Sequence, residues 1–391
     1  MRGALEVGLA FLRLGCVSFG GPVAHLGYLR TEFVERRKWL DDAHYGDLVA
    51  LCQFLPGPGS SQVVFAVGMQ RAGLPGALAA SLGFTLPSAL LMIAFAYGVA
   101  EASDLGQAGW LHGLKLAAVA VVAQAVSAMG RKLCPDRARV TLAALAAAVL
   151  LTVPGALVQL GVIALGGLAG YVLYGGAIPE SEREEAGARG HGPALSVLGI
   201  FFLLLVGLPI LAAAFGSREL LIADSFYRAS SLVFGGGHVV LPLLRAEFVP
   251  RGFLTDDQFL AGYGAAQAIP GPLFSFAGYL GTTMATGAHA WLTGLLALLS
   301  IFLPSWLLVG GALPFWHRLR SRAWAQAVLF GANAAVVGVL SAALYTPIFT
   351  EGVRGPRDLA AALVAFVLLE HWRAPPWLIV ALTAAAGQWL L

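Results

Sequence analysis

The sequence predicts an all-α polytopic membrane protein, an inverted-topology repeat of two homologous halves whose broken, re-entrant helices meet at mid-membrane. Three observations carry this expectation. Of 391 residues, 58% are hydrophobic and only 12% charged, so a soluble fold would lack the polar residues to cover its surface. Apolar runs of roughly 17 to 25 residues, enough for a ~30 Å hydrocarbon layer, recur from end to end between short charged loops. The chain also contains one unit twice.

The repeat rests on residues other than Ala and Leu. Arg13 to Phe33 (RLGCVSFGGPVAHLGYLRTEF) matches Arg228 to Phe248 (RASSLVFGGGHVVLPLLRAEF) at a constant offset of 215. After a one-residue slip, Leu40 to Pro58 (LDDAHYGDLVALCQFLPGP) matches Leu254 to Pro272 (LTDDQFLAGYGAAQAIPGP). Later, Leu86-Pro87-Ser88 matches Leu303-Pro304-Ser305. Self-similarity on this scale sets the architecture.

The first half, 1–178, is expected to hold helical segments near 4–34, 43–72, 75–100, 110–131, 138–153 and 154–176. The second, 218–391, has them near 219–250, 257–287, 290–312, 325–348, 357–371 and 375–390. Between them, 179–217 holds a polar linker (PESEREEAGARGHG) and one apolar run near 194–215 without a counterpart. Six segments plus one start the second half on the opposite side of the membrane, the inverted arrangement that secondary transporters use.

The first two segments of each half are about thirty residues long, or ~45 Å as helix. Each is broken centrally, at Gly20-Gly21-Pro22, Pro56-Gly57-Pro58-Gly59, Gly235-Gly236-Gly237 and Pro270-Gly271-Pro272. Half-helices of that length reach mid-membrane, where broken backbone is tolerated if it is buried or lines a wet cavity. The basic residues separate two readings. If all four broken segments span, thirteen segments cross, and Arg30, Arg36, Arg37 and Lys38 fall opposite the loops Arg131 to Arg139 and Arg318 to Arg322. If all are re-entrant, nine cross and the three basic clusters share one side, which is the expectation. Both readings put the N-terminus in the cytoplasm. No signal peptide is expected, because the first apolar stretch carries Glu6 and Arg13 and no small-residue cleavage pattern follows.

A helix that starts in mid-bilayer aims unpaired N–H groups and a partial positive charge at whatever lies beyond it, which favours an anion. Ser60 and Ser61 follow the first Pro-Gly-Pro, Ser275 follows the second, and Ser18 precedes the first glycine break. Gly20, Gly21, Gly57, Gly59, Gly235, Gly236, Gly237 and Gly271 would let an oxyanion approach the backbone closely. Gln53 and Gln267 stand three residues before their prolines, where an amide donates without the cost of a buried charge. Gly and Pro also simply kink packed membrane helices, and that reading stays open for each break alone.

Arg13 and Arg228 share one register inside apolar stretches, as pathway cations or as partners of Glu6 and Asp224. Lys115 aligns with Asn333, offering a cation in one half and an amide in the other. Asp47, aligned with Ala261, is a candidate for a coupling proton or for pairing with an arginine. His25 and His238 follow the glycines at different registers, able to titrate, to donate to an anion or to line a helix contact.

No catalytic or cofactor motif is present: there is no HExxH, no phosphate-binding loop after a strand and no nucleophile with a base at useful spacing. The chain is not expected to be an enzyme, to bind a metal or cofactor, or to pump by nucleotide hydrolysis. Cys16, Cys52 and Cys134 form no CxxC pair. A net charge of +3, carried in loops, argues topology and no nucleic-acid role.

The segments SFGGPVAHLGYLRTEFVERRKWL, QFLPGPGS, FGGGHVVLPLL and QAIPGP, in this order, resemble the chromate ion transporter family in its long, two-domain form. The resemblance covers nearly the whole chain. It implies a bacterial inner-membrane exporter of chromate that confers chromate resistance, with sulfate as a related or competing anion. The signature carries over to Phe19, Gly20, Gly21, Pro22, Gln53, Pro56, Gly57 and Pro58, and to Phe234, Gly235, Gly236, Gln267, Pro270, Gly271 and Pro272. Gly237 stands where the first half has Pro22, so the two breaks need not share one shape.

Export is energetically compatible, since a potential of ~100 mV, negative inside, is worth about 4.6 kcal/mol for a dianion. The alternatives are another oxyanion as natural cargo, an anion channel, and a non-transporting scaffold. A homodimer is compatible with the sequence.

Overall fold

The computed structural model of the protein describes residues 2–19, 21–101, 109–153, 155–175, 192–234, 237–316 and 322–389. Its secondary structure is helical throughout these residues, with no strand. The polar linker falls almost wholly on 176–191, outside the described residues.

The first half opens with α1 (Arg2–Val17), α2 (Gly21–Arg30), α3 (Asp42–Phe54) and α4 (Gly59–Glu101). A wider π-turn, Thr31–Arg36, prolongs α2. The carboxylate of Asp41 caps α3 by accepting the His44 N–H at 2.8 Å. Within α4, Ala72 and Gly73 leave helical geometry, with Gly73 at φ +63, so α4 is two helices joined at a kink. The two segments expected at 43–72 and 75–100 therefore divide at Pro56-Gly57-Pro58 and at Gly73.

Ring contacts show that both broken segments turn back. Phe11 in α1 stacks on Phe33 beyond α2, with centroids 4.6 Å apart, and Phe33 stacks on Trp39 at the same separation. The guanidinium of Arg71, at the end of the first part of α4, lies 5.0 Å from the Trp39 ring centroid and donates to Glu6 at 3.3 Å. The start of α1, the return from α2 and the end of the second hairpin thus share one rim. A turn back within α1–α2 is what the nine-crossing reading requires, because a spanning α1–α2 would put Phe33 and Phe11 a membrane apart.

The second half repeats this with α9 (Arg218–Ser231), α10 (Val240–Phe248), α11 (Asp256–Ala268) and α12 (Phe276–Thr283), the last entered by a tight turn at Leu273–Ser275. Phe226 and Phe248, the counterparts of Phe11 and Phe33, lie 5.0 Å apart. Arg218 lies 4.9 Å over Phe253 and donates to the carbonyl of Met284, closing a second rim. The second part of α4 connects the rims. It leaves the first beside Arg71, and the hydroxyl of Tyr97 at its far end donates to Ala288 O and accepts from Trp291 N–H, each at 3.1 Å. The two rims stand at opposite ends of one long helix.

The remaining helices are α5 (Gly109–Leu133), α6 (Arg137–Thr152), α7 (Ala156–Tyr174), α8 (Gly192–Phe215), α13 (Ala290–Ala312), α14 (Ala323–Ala343), α15 (Pro356–Glu370) and α16 (Pro376–Trp389). Among the described residues, six stretches are long and apolar enough to cross a membrane: Gly59–Ala100, Gly109–Leu133, Leu157–Tyr174, Pro193–Phe215, Ala290–Phe315 and Ala323–Gly352. Glycines let them approach closely: a β-carbon on Gly113 would strike the Thr383 carbonyl, and one on Gly331 the Gly166 carbonyl. The unpaired α8 differs, with only 6% of its apolar stretch buried, so most of its side chains face outward.

Candidate functional site

Proline and glycine stop the hairpin helices midway, and the freed backbone groups are met from the other half. Gly57 N–H donates to Val233 O at 2.6 Å, and Gly271 N–H donates to Ser18 O at 2.9 Å. Gly57 and Gly271 are equivalent, as are Ser18 and Val233, so the two bonds are one contact related by the repeat. Both glycines are left-handed, at φ +121 and +109. A β-carbon on Gly57 would sit 2.7 Å from Ser305 Oγ, and one on Gly271 2.7 Å from Ser88 Oγ. The serines of the two Leu-Pro-Ser motifs therefore abut the opposite half's Pro-Gly-Pro.

Beside this crossing is a cavity of about 280 Å³. The first half lines it with Gln53, Gly57, Gly59, Ser60 and Ser61, and the second with Gly237 and Asn333. Seven expected site residues, far apart in sequence, share one space. α4 starts here, and its first N–H groups, of Gly59, Ser60 and Ser61, have no partner within the helix. The first amide to bond back is Gln62 N–H, to Pro58 O at 3.0 Å. The Ser61 hydroxyl is buried without a partner, as are Ser18 Oγ, Gln62 Oε1, Ser305 Oγ and Gln267 Nε2 around the breaks. Unsatisfied buried polar atoms are costly and rare. These atoms lie around the breaks, and Ser61 is the one of the five residues that also lines the cavity.

His25 ties the wall together. Its Nε2 donates to Ser18 O at 3.1 Å, a carbonyl that can only accept, so the proton sits on Nε2 and Nδ1 faces Ser60 Oγ at 3.4 Å. His238 has a different partner, the Tyr263 hydroxyl, 2.6 Å from its Nδ1. The different registers of the two histidines thus have different partners, one at the cavity wall and one in the packed second half.

Other expected residues lie elsewhere. Arg228 is bound by two acids, Asp224 at 2.7 Å and Glu247 at 3.1 Å, so the partner reading applies and Arg228 is not a free cation. Arg13 is exposed on α1, and Glu6 pairs with Arg71 instead. Lys115 pairs with Asp257 in a separate cavity of about 290 Å³ with Thr255 and Gln258. It faces the start of α11, away from its aligned partner Asn333. Asp47 lies in the second turn of α3, near enough to help raise the pKa of His44, whose main cause is the hydrogen bond with Asp41. That position belongs to the rim, away from the crossing. Gln267 and Ser275 stay near the second break but do not line the cavity, Ser275 being buried in its tight turn. Gly21 begins α2 at φ +76. Gly20, Gly235 and Gly236 lie outside the described residues.

Two residues escaped the sequence reading. Gln62 donates from Nε2 to Pro56 O at 2.6 Å, answering a carbonyl that the break exposes. Lys132 lines the cavity with Ala128, Met129 and Leu133, a face of α5 spaced by one and four residues. That spacing was legible, but the basic loop it leads into masked it. Among the described residues, no group of three His, Cys, Asp or Glu could hold a metal ion.

The sequence matches the chromate transporter family over residues 5–171 and again over 220–388. A chromate transport protein of Pseudomonas aeruginosa is 29% identical, covering 97% of this chain and 91% of the relative. A probable chromate transport protein of Synechococcus elongatus is 28% identical over 96% and 93%. A chromate transport protein of Cupriavidus metallidurans is 26% identical over 96% and 90%. No solved structure matches.

Proposed function

The chain belongs to the chromate transporter family, and from that membership we propose that it is a secondary transporter carrying chromate out of the cytoplasm across the bacterial inner membrane, through the cavity beside the crossing. The observation that carries this reading is the meeting of the α4 N-terminus with the unpartnered Ser61 hydroxyl and the Gln53 and Asn333 amides in one space. Neutral donors around a helix start suit a tetrahedral oxyanion, which each can approach from a different side.

Direction follows from charge. Arg30, Arg36, Arg37 and Lys38 belong to the first rim, and α5 returns to that side carrying Arg131, Lys132, Arg137 and Arg139. The opposite side has fewer, Arg218, Arg245, Arg251, Arg354 and Arg357. The positive-inside rule makes the first rim cytoplasmic, with the N-terminus, and gives inverted halves with nine crossings. The cavity lies on that side of the crossing and would receive its anion from the cytoplasm, the side from which a negative interior drives dianions outward.

Nothing in this donor set distinguishes the central atom of the oxyanion, which supports sulfate as a competing cargo. The test is flux of labelled chromate and sulfate in proteoliposomes under an imposed potential. Saturable chromate movement that follows the potential, is inhibited by sulfate and is reduced by Gln53→Leu and Ser61→Ala is expected. Unaltered flux in both variants would exclude this cavity as the route.

A further inference from the structure

We infer that Lys132 is the counter-charge of the anion site, the side chain that admits a dianion to the cavity. The inference rests on the reading of that cavity as the oxyanion site. Among the described residues, Lys132 is the one charged residue lining it. Of the basic residues near it, Arg131 donates to Ser127 Oγ at 2.8 Å and pairs with Glu370, and Arg139 pairs with Asp136. Lys132 has no hydrogen bond or ion pair among the described residues.

The surroundings favour a third, negative body. The cavity is entered by the positive end of α4, and Lys132 adds a full charge with no acid in the lining to balance it. Two positive features facing one space repel when the space is empty, and an anion between them relieves the repulsion. The last turn of α5 suits the ammonium, because the negative end of a helix favours a cation. The second half has no such group: at the offset that aligns Lys115 with Asn333, Thr350 stands opposite Lys132, and its hydroxyl donates to Pro347 O at 3.2 Å. The attracting charge therefore sits on one side of the crossing only. A dianion meets it at the end of α5 and then passes to the neutral donors at Ser61 and Gln53. Lys132 is exposed, so its replacement disturbs little packing.

The experiment is initial-rate chromate flux against concentration in proteoliposomes of the full chain, for wild type, Lys132→Gln, Lys132→Arg and Lys132→Glu, at low and high ionic strength. Loss of one charge-assisted contact predicts a rise in KM of about tenfold or more in Lys132→Gln, with the maximal rate much less changed. Lys132→Arg should restore most of the affinity and Lys132→Glu should be worst. Added salt should raise the wild-type KM and leave that of Lys132→Gln nearly unchanged. An unchanged KM in Lys132→Gln overturns the inference, as does a loss of flux that only follows a loss of folded protein. Ser61→Ala run in parallel separates the two readings. If it impairs flux while Lys132→Gln does not, the cavity stands without its counter-charge; if neither does, the cavity itself falls.

Discussion

The hydroxyl of Ser88 stands against Gly271, 2.7 Å from where any side chain on that glycine would begin. Ser88 is not free to swing clear, because it donates to Thr85 O at 2.9 Å and its own β-carbon would be 3.0 Å from the new atom. Ser305, against Gly57, has no such bond. Alanine at Gly216, at φ +59 with nothing within 4 Å, meets only the backbone penalty, about 1–2 kcal/mol. Gly57→Ala, where Gln62 Nε2 is also 2.7 Å away and tied to Pro56 O, and Gly271→Ala should both cost more, by roughly a further 1–3 kcal/mol of overpacking. Thermal unfolding in detergent ranks the three variants, and Ser88→Gly should recover part of the Gly271→Ala loss. Equal shifts at all three positions would contradict the close approach.

The Lys115–Asp257 pair joins α5 of the first half to α11 of the second, but its members are unequally covered, with 4% of the lysine side chain exposed and 39% of the aspartate. Removing the acid strands a cation in an apolar wall, whereas removing the lysine leaves an acid that water can reach. Asp257→Ala should therefore destabilise more than Lys115→Met, approaching the roughly 3–5 kcal/mol of a broken buried pair. The double variant should be milder than Asp257→Ala alone. A double-mutant cycle by thermal denaturation checks the order, and additivity would mean that the two side chains do not interact.

The opposed rims can be probed from outside. In a background without Cys16, Cys52 and Cys134, single cysteines at Ala43 and Pro250, both exposed, report one rim each. An impermeant thiol reagent on right-side-out vesicles should label Pro250→Cys at once and Ala43→Cys only after permeabilisation. Labelling of both from one face would refute the inverted arrangement.

Asp136, in the loop before α6, is held down to about 2 by the Arg139 N–H first and by the Tyr174 hydroxyl next, against an ordinary 3.8. A lowered carboxyl stabilises the folded state above its unfolded pKa and loses that contribution as pH falls through the folded value. Asp136→Asn keeps the helix cap and removes the charge. Wild type should be the more stable of the two at neutral pH, with the gap closing between about pH 4 and pH 2. A gap that persists at the acid end would assign the effect to packing.

The two-fold plan was legible because it was written in Gly, Pro, Gln and Arg, residues that hydropathy alone does not demand; both hairpins of each half follow from it. Phe11 with Phe33 and Phe226 with Phe248 lie at matching offsets, yet their contacts were not foreseeable, since aromatic residues are common in any apolar stretch. Site membership was harder. That Gln53, Ser60 and Ser61 would share a space could be read, because a break needs donors beside it. Arg228 and Lys115 could not be assigned, because a buried cation is equally at home beside an acid or beside a substrate, and only the fold decides which is present. Lys132 was overlooked for the opposite reason, being one of several basic residues at a membrane edge.

The exchange of backbone bonds at the crossing has a consequence for synthesis. When the first half leaves the ribosome, the amide of Gly57 faces an apolar interior without its acceptor, because Val233 does not yet exist. The carbonyl of Ser18 has the His25 ring at once and gains its second donor only with Gly271. A half-made chain in the bilayer therefore holds its centre open to water or to the insertion machinery, and the order in which the protein is made leaves the core as the last part to close.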